Sequence, residues 1–217
     1  MMLTEFDLKI SEDNPFAQII GVDEAGRGPL AGPVTAAACY IPQELYSHPL
    51  MAKINDSKKL TPAKREKIFD ELITLPVMWR TGYASAAEID KHNILQATFI
   101  AMRRALAAFE GKNALVLVDG NKLIPFIHHP QKAVIGGDAQ SLCVTAASII
   151  AKVSRDRFMQ VIDGKFPLYD FAGHKGYGTK SHIASIKEYG PCPQHRMTFE
   201  PLLSMYNGLF PTDKTNV

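Results

Sequence analysis

The chain of 217 residues is 46% hydrophobic and 21% charged, with a formal net charge of +2. That is the balance of a globular protein long enough to bury a core without disulfides or a structural metal. Three cysteines, Cys39, Cys143 and Cys192, are separated by long gaps with no Cys-x-x-Cys, which argues against a disulfide framework or a zinc site and for a reducing compartment. Residues 1–18 hold four acids and no apolar run, so no signal peptide is read there. No stretch approaches the apolar length that spans a bilayer, and a cytoplasmic protein is expected.

Residues 16–22 form a short apolar run that stops at Asp23 and a glycine-rich turn, the pattern of a buried strand. A second strand is expected over 33–41, closed by Pro42. Thr61 and Pro62 open a helix, as N-cap and first helical residue, that runs to about 75. A strand follows over 78–84, and Ser85 and Glu88 have the spacing of a capping box. The clearest helix covers 93–110, with Ile94, Ala97, Ala101 and Leu106 on its apolar side and Gly111 as its stop. A fully apolar strand over 114–118 ends at Asp119. A shorter strand over 133–135 is broken by Gly136 and Gly137 before Asp138. From 141 to 162 the pattern is helical, with Leu142, Ala146, Ile149 and Val153 as the apolar stripe. Ser141, Thr145, Ser148, Lys152 and Asp156 make a second, polar face. Further helices are expected at 179–189 and near 199–209. Strands and helices mix early and helices dominate late. This implies an α/β domain over 1–163, a helical extension over 164–217, and a disordered tail from about 211.

Three acidic positions share one context: Asp23 and Glu24 follow the first strand, Asp119 the strand at 114–118, and Asp138 the strand after it. Ligand sites in open α/β sheets lie beyond the carboxyl ends of the strands, so neighbouring parallel strands would bring four carboxylates to one edge. Hard oxygen donors without accompanying His or Cys suit Mg²⁺ or Mn²⁺ rather than zinc, and two such ions can drive phosphodiester hydrolysis. Side chains alternate along a strand, so Asp23 and Glu24 reach one site only if the backbone turns between or just after them; Gly26, Gly28 and Pro29 allow such a turn. The alternative for Asp119-Gly120 is an ordinary turn.

Local charge adds to this. Residues 53–67 carry six basic and two acidic residues, and residues 152–196 carry eight and four. Such stretches suit a polyanion bound on one face, or are scattered solvated charge. Gly26-Arg27-Gly28 permits close backbone approach to a ligand. Asp56-Ser57-Lys58-Lys59 is either a phosphate contact or a solvated helix entry. Tyr177, in the run from His174 to Gly178, is either a stacking platform for a sugar or base or a packed ring in a glycine-rich turn. His195-Arg196 is either a phosphate contact or a packing pair.

These residues resemble a family. Gly21-Val-Asp-Glu-Ala-Gly-Arg-Gly-Pro-Leu-Ala-Gly-Pro33 is similar to the opening signature of ribonuclease HII, the bacterial type 2 ribonuclease H. The likeness continues through Asp56-Ser-Lys-Lys-Leu60, Val118-Asp-Gly-Asn121, Gly137-Asp138, Ala146-Ala-Ser-Ile-Ile-Ala-Lys-Val153 with Arg155-Asp156, and His174-Lys-Gly-Tyr-Gly-Thr179. Motif order and spacing agree over roughly residues 19–200.

The resemblance implies a ribonuclease H-like α/β fold, a mixed central sheet flanked by helices with a small helical C-terminal extension. It implies that Asp23, Glu24, Asp119 and Asp138 are catalytic and bind two Mg²⁺ or Mn²⁺ ions when substrate is present. Gly26, Arg27 and Gly28 would recognise the 2′-hydroxyl, Tyr177 would pack on the adjoining sugar, and Lys58, Ser148 and Lys152 would contact nucleic acid. The activity implied is cleavage on the 5′ side of a ribonucleotide, in RNA–DNA hybrids and at single ribonucleotides in duplex DNA, leaving 3′-hydroxyl and 5′-phosphate ends. No obligatory protein partner is inferred. A DNA junction resolvase on the same fold would leave the Gly-Arg-Gly loop unexplained, and a silent hybrid-binding protein is expected to have lost an acid. A nucleotide-binding protein would need a Gly-x-x-x-x-Gly-Lys loop, which does not occur.

Overall fold

The computed structural model describes residues 3–14, 18–54 and 60–206. At its centre lie five strands: β1 (Gln18–Ala25), β2 (Val34–Tyr40), β3 (Met78–Ala84), β4 (Ala114–Asp119) and β5 (Gln131–Val134), in the order β3-β2-β1-β4-β5. β2 pairs antiparallel with β1 and β3, while β4 is parallel to β1 and β5 to β4. The sheet is therefore mixed, and its parallel part, β1-β4-β5, is the part whose ends carry the acids.

Alternation along the strands sorts the core into two layers. Ile19, Leu115 and Leu117 face one side, packed under the helices α1 (Leu3–Glu12), α2 (Pro49–Ile54), α3 (Pro62–Leu72) and α5 (Leu142–Asp163). Ile20, Val22, Val116 and Val118 face the other side, against α4 (Ala86–Leu106). Two glycines set how closely these helices approach. A Cβ added at Gly21 would lie 2.1 Å from the Cys143 carbonyl carbon, and one added at Gly82 would lie 2.1 Å from the Ala101 carbonyl oxygen. The first turn of α5 thus rests directly on β1, two residues before Asp23.

Helix starts follow their capping residues. Thr61, Ser141 and Thr179 accept from the backbone amides of Lys64, Val144 and His182, and Ser85 and Glu88 form the expected reciprocal box. The helix read from residue 93 is the second segment of α4: Asn93 breaks the helix (φ 65°, ψ 164°) and its side chain accepts from Leu95 and Gln96. A short 3-10 turn, Ala107–Phe109, completes it before Gly111.

Several boundaries differ from expectation. β1 runs on through both acids to Ala25, and β5 lies earlier, at Gln131–Val134. α1 and α2 are additional helices that the sequence reading does not include. Residues 16 and 17, Asp56, Ser57, Lys58, Lys59, and the tail from 207 onward lie outside the described residues. After α5 come α6 (Phe171–His174), α7 (Lys180–Tyr189) and α8 (Leu202–Tyr206). They share a third core, in which Phe171, Ile186 and Leu202 pack with Leu30, Ala31 and Met159. This core ties the C-terminal helices to the loop between β1 and β2. Among the described residues no helix is long and apolar enough to cross a membrane.

Candidate active site

The register of the parallel strands brings the acids together. Val22 pairs with Val118, so Asp23 and Asp119 are the next residues on neighbouring strands. Asp138 sits in a 3-10 turn, Gly137–Ala139, entered through Gly136 at φ 65°. That turn is held to β4 by the Gly137 amide, which donates to Asp119 Oδ1 at 2.7 Å. Asp23, Glu24, Asp119 and Asp138 all line one cleft of about 360 Å³, together with Gly26, Ser148, Lys152 and Tyr177.

Of the two places allowed for a backbone turn, between the paired acids or just after them, the structure has the second: β1 runs to Ala25 and the chain turns at Gly26, φ +92°. Because β1 continues to Ala25, Asp23 faces α5, where Ser148 lies beside its carboxylate, while Glu24 faces the α4 side. Glu24 and Asp119 also line a recess of about 100 Å³ there, with Thr98 and Asn121. The site therefore wraps around the end of β1 and is open to both faces of the sheet.

Charge is concentrated here. Asp23 is only 6% exposed. Burial, and then the negative charges of Glu24 and Asp119, push its carboxyl well above the usual carboxylate range. Burial also raises Glu24, opposed by Arg27, whose Nη1 lies 3.1 Å from Glu24 Oε1. A cleft of hard oxygen donors with unbalanced negative charge fits a divalent cation of the Mg²⁺ or Mn²⁺ type. Among the described residues no three Asp, Glu, His or Cys side chains already stand in an arrangement that could hold an ion.

The glycine loop is braced from inside the protein. Arg196, fully buried, donates to the carbonyls of Gly26, Arg27 and Gly32. Arg155, also buried, donates to those of Ala31, Pro33 and Lys175. Gly26 is at φ +92°, and a Cβ there would meet Arg155 Nε at 2.0 Å, so glycine is required by conformation and by space. A Cβ on Gly28 would lie 3.9 Å from Tyr177 Cε1, which places that half-exposed ring against the loop.

Other sequence readings divide. Ser148 and Lys152 reach the cleft, Lys152 paired with Asp156 at 2.8 Å. Ser141 and Thr145, read as part of the same polar face, are buried: Ser141 caps α5 and Thr145 donates to the Asp138 and Ser141 carbonyls. His195 and Arg196 are buried as well, which closes the phosphate-contact alternative and leaves the structural one. Lys58 lies outside the described residues. Sequence reasoning did not single out Arg65, which lines the cleft from α3; its only signal was the basic run at 53–67. The bracing role of Arg155 and Arg196 was equally unmarked, because their partners lie 20–170 residues away.

Comparison with known proteins agrees. The family model for ribonuclease HII matches residues 20–201. The ribonuclease HII of Acidovorax sp. (strain JS42) is 49% identical over 189 residues, 87% of this chain and 88% of that protein. The ribonuclease HII of Caldicellulosiruptor saccharolyticus is 51% identical over 181 residues, 83% of this chain and 86% of that protein. Among solved structures, the ribonuclease H2 of Pyrococcus horikoshii OT3 superposes with a TM-score of 0.69 at 29% identity, covering 88% of this chain and 97% of that one. A ribonuclease HIII solved in complex with Mn²⁺ shares the fold, with a TM-score of 0.67 at 14% identity over 88% of this chain and 69% of that one. The chain thus belongs to the ribonuclease HII family and is an endoribonuclease, a hydrolase that cleaves RNA in RNA–DNA hybrids.

Proposed function

We propose that this enzyme hydrolyses the phosphodiester on the 5′ side of a ribonucleotide, both in RNA–DNA hybrids and at single ribonucleotides embedded in duplex DNA, leaving 3′-hydroxyl and 5′-phosphate ends. The observation that carries this reading is the meeting, in one cleft, of four carboxylates with a glycine loop and an exposed tyrosine. Carboxylates alone would suit any phosphodiester. A glycine loop can bring backbone amides and carbonyls against a hydroxyl, which both donates and accepts and is the group that separates RNA from DNA. Gly26, Arg27 and Gly28 are assigned to the 2′-hydroxyl and Tyr177 to the neighbouring sugar.

Asp23, Glu24, Asp119 and Asp138 are assigned to two Mg²⁺ or Mn²⁺ ions, which when bound supply an activated water and charge for the leaving oxygen. The protein's own groups prepare the site. Ser148 orients Asp23, the Gly137 amide orients Asp119, and Arg27 holds Glu24. Lys152, Lys58 and Arg65 are assigned to the phosphate backbone, and residues 164–217 are read as the extension that completes the groove. Ribonucleotide removal during replication and repair in the cytoplasm is the role this chemistry suits.

The test is a labelled DNA duplex carrying one internal ribonucleotide, incubated with Mg²⁺, with Mn²⁺, or with a chelator. A single cut that requires the cation is expected. Cutting that persists in the chelator, or an intact duplex under both metals, overturns the reading.

A further inference from the structure

Beneath Tyr177 lies a buried histidine cluster that the reading above leaves unused. The Cys192 amide donates to His195 Nδ1 at 2.9 Å, a shorter and competing approach to that of the Cys192 carbonyl at 3.3 Å. Nδ1 therefore carries no proton, and the neutral ring must carry it on Nε2. That nitrogen faces His182 Nε2 at 3.1 Å, so His195 donates and His182 accepts. The proton of His182 is then on Nδ1, which lies 2.9 Å from the Tyr177 carbonyl and donates to it. One assignment of tautomers satisfies every nitrogen, and all the bonds run the same way, from the 192 backbone to the 177 backbone.

The surroundings keep this chain dry and neutral. His182 is fully buried and His195 is 3% exposed. Phe171 and Tyr169 meet them edge-on at 5.6 and 4.9 Å, and His174 stacks on His182 at 4.1 Å. Burial lowers both His182 and His195 to about 4, so neither ring is charged near neutral pH. The same segment pairs with the glycine-loop side: Ala31 and His195 form a β-bridge, Gly32 donates to the Gln194 carbonyl, and Leu30 donates to the Gly176 carbonyl. Apolar rings would fill this volume without hydrogen-bond constraints. Directed imidazoles specify where the Tyr177 backbone sits relative to the loop.

We propose that His182 and His195 are positioning residues for ribose recognition, forming a directed hydrogen-bond relay that holds the Tyr177 backbone, and with it the ring, against the Gly26–Gly28 loop. This rests on the assignment of Tyr177 to the sugar beside the ribonucleotide. The relay acts through Tyr177 and touches no substrate.

The test exploits the two ends of the ring. In His182→Asn the amide nitrogen falls near the Nδ1 position and can still donate to the Tyr177 carbonyl. In His182→Gln the amide falls near Nε2 and that donor is lost, although Gln is closer to histidine in size. Turnover and KM are measured on the single-ribonucleotide duplex, with thermal unfolding followed in parallel. His182→Asn, which keeps the donor to Tyr177 and loses only the link to His195, is expected to cost no more than a few-fold, while His182→Gln loses about ten- to hundred-fold in kcat, the scale of a misplaced positioning group. KM is expected to hold. His195→Asn, which keeps the acceptor for the Cys192 amide and drops the donor to His182, is expected to give a smaller loss in the same sense and serves if His182→Gln does not fold. In a Tyr177→Ala background the same substitutions are expected to cost nothing more. Equal kcat for the Asn and Gln variants, or losses that add to that of Tyr177→Ala, overturns the relay and leaves the assignment of Tyr177 standing. An unchanged rate in Tyr177→Ala alone overturns that assignment and the relay with it.

Discussion

The Arg196 guanidinium donates through Nη2 to the Gly26 carbonyl at 2.6 Å, across 170 residues of sequence. The loop proposed to read the 2′-hydroxyl is thus held by a residue near the other end of the chain. Burial, followed by the charge of neighbouring Arg155, presses Arg196 below its ordinary pKa, a sign that the position is costly for a cation and kept for its geometry. Arg196→Lys is expected to fail as a replacement, because an ammonium lacks the planar fork that serves three carbonyls. Unfolding stability should fall by at least about 1–3 kcal/mol, the cost of a single orphaned buried acceptor, and cleavage should fall with it. Denaturant titration and turnover check both; a lysine variant with parental stability and rate contradicts the bracing role.

Asp119→Asn is expected to remove cleavage by orders of magnitude while leaving the fold intact. The Gly137 amide needs only an oxygen at this position, and asparagine supplies it. What is lost is charge at the junction of the two recesses. Near-normal turnover by a folded Asp119→Asn protein would mean that this acid only shapes the turn. Circular dichroism and a cleavage time course decide it.

The strands that bring Asp23 and Asp119 side by side were legible because an apolar run that stops at an acid is a local pattern. The starts of α3, α5 and α7 and the capping box at the head of α4 were legible for the same reason, each marked by a Ser or Thr cap. The continuation of β1 through Asp23 and Glu24 was not. A turn between or just after the acids was inferred; it comes just after, at Gly26, and the site surrounds the strand end. Nor were the buried polar residues legible. His195 and Arg196 allow a phosphate contact or a packing pair, Arg155 and His182 carry no local signal, and only the folded packing shows where their donors go. Asp7 belongs with them. It is buried, accepts from the Cys143 amide at the start of α5, and lies in a helix outside the span of the family model.

Asp7 and the histidine pair set opposite pH slopes. His182 and His195 titrate at about 4 in the fold against an ordinary 6.5. Between those values the unfolded chain binds more protons, so their contribution to stability rises with pH and is lost as pH falls from 6.5 toward 4. Burial raises Asp7 from 3.8 to about 6, so the folded chain holds the extra proton and stability falls as pH rises through that interval. Asp7→Asn removes the falling component. Its melting temperature is expected to climb more steeply between pH 4 and 6.5 than that of the parent protein. A slope unchanged or shallower than the parent's contradicts the assignment.

The most direct test of ribose recognition compares two duplexes identical except that one nucleotide is ribo in the first and deoxyribo in the second. A site that pairs with a hydroxyl leaves its own polar groups unpaired when the hydroxyl is absent, so discrimination of about 10⁴-fold or more is expected. The cut should map to the 5′ side of the ribonucleotide, with a 3′-hydroxyl on one fragment and a 5′-phosphate on the other, and none should be detected in the all-DNA duplex. Comparable cleavage of both duplexes, or a cut that does not move when the ribonucleotide is moved, would contradict the assignment of the Gly26–Gly28 loop and Tyr177 to the ribose.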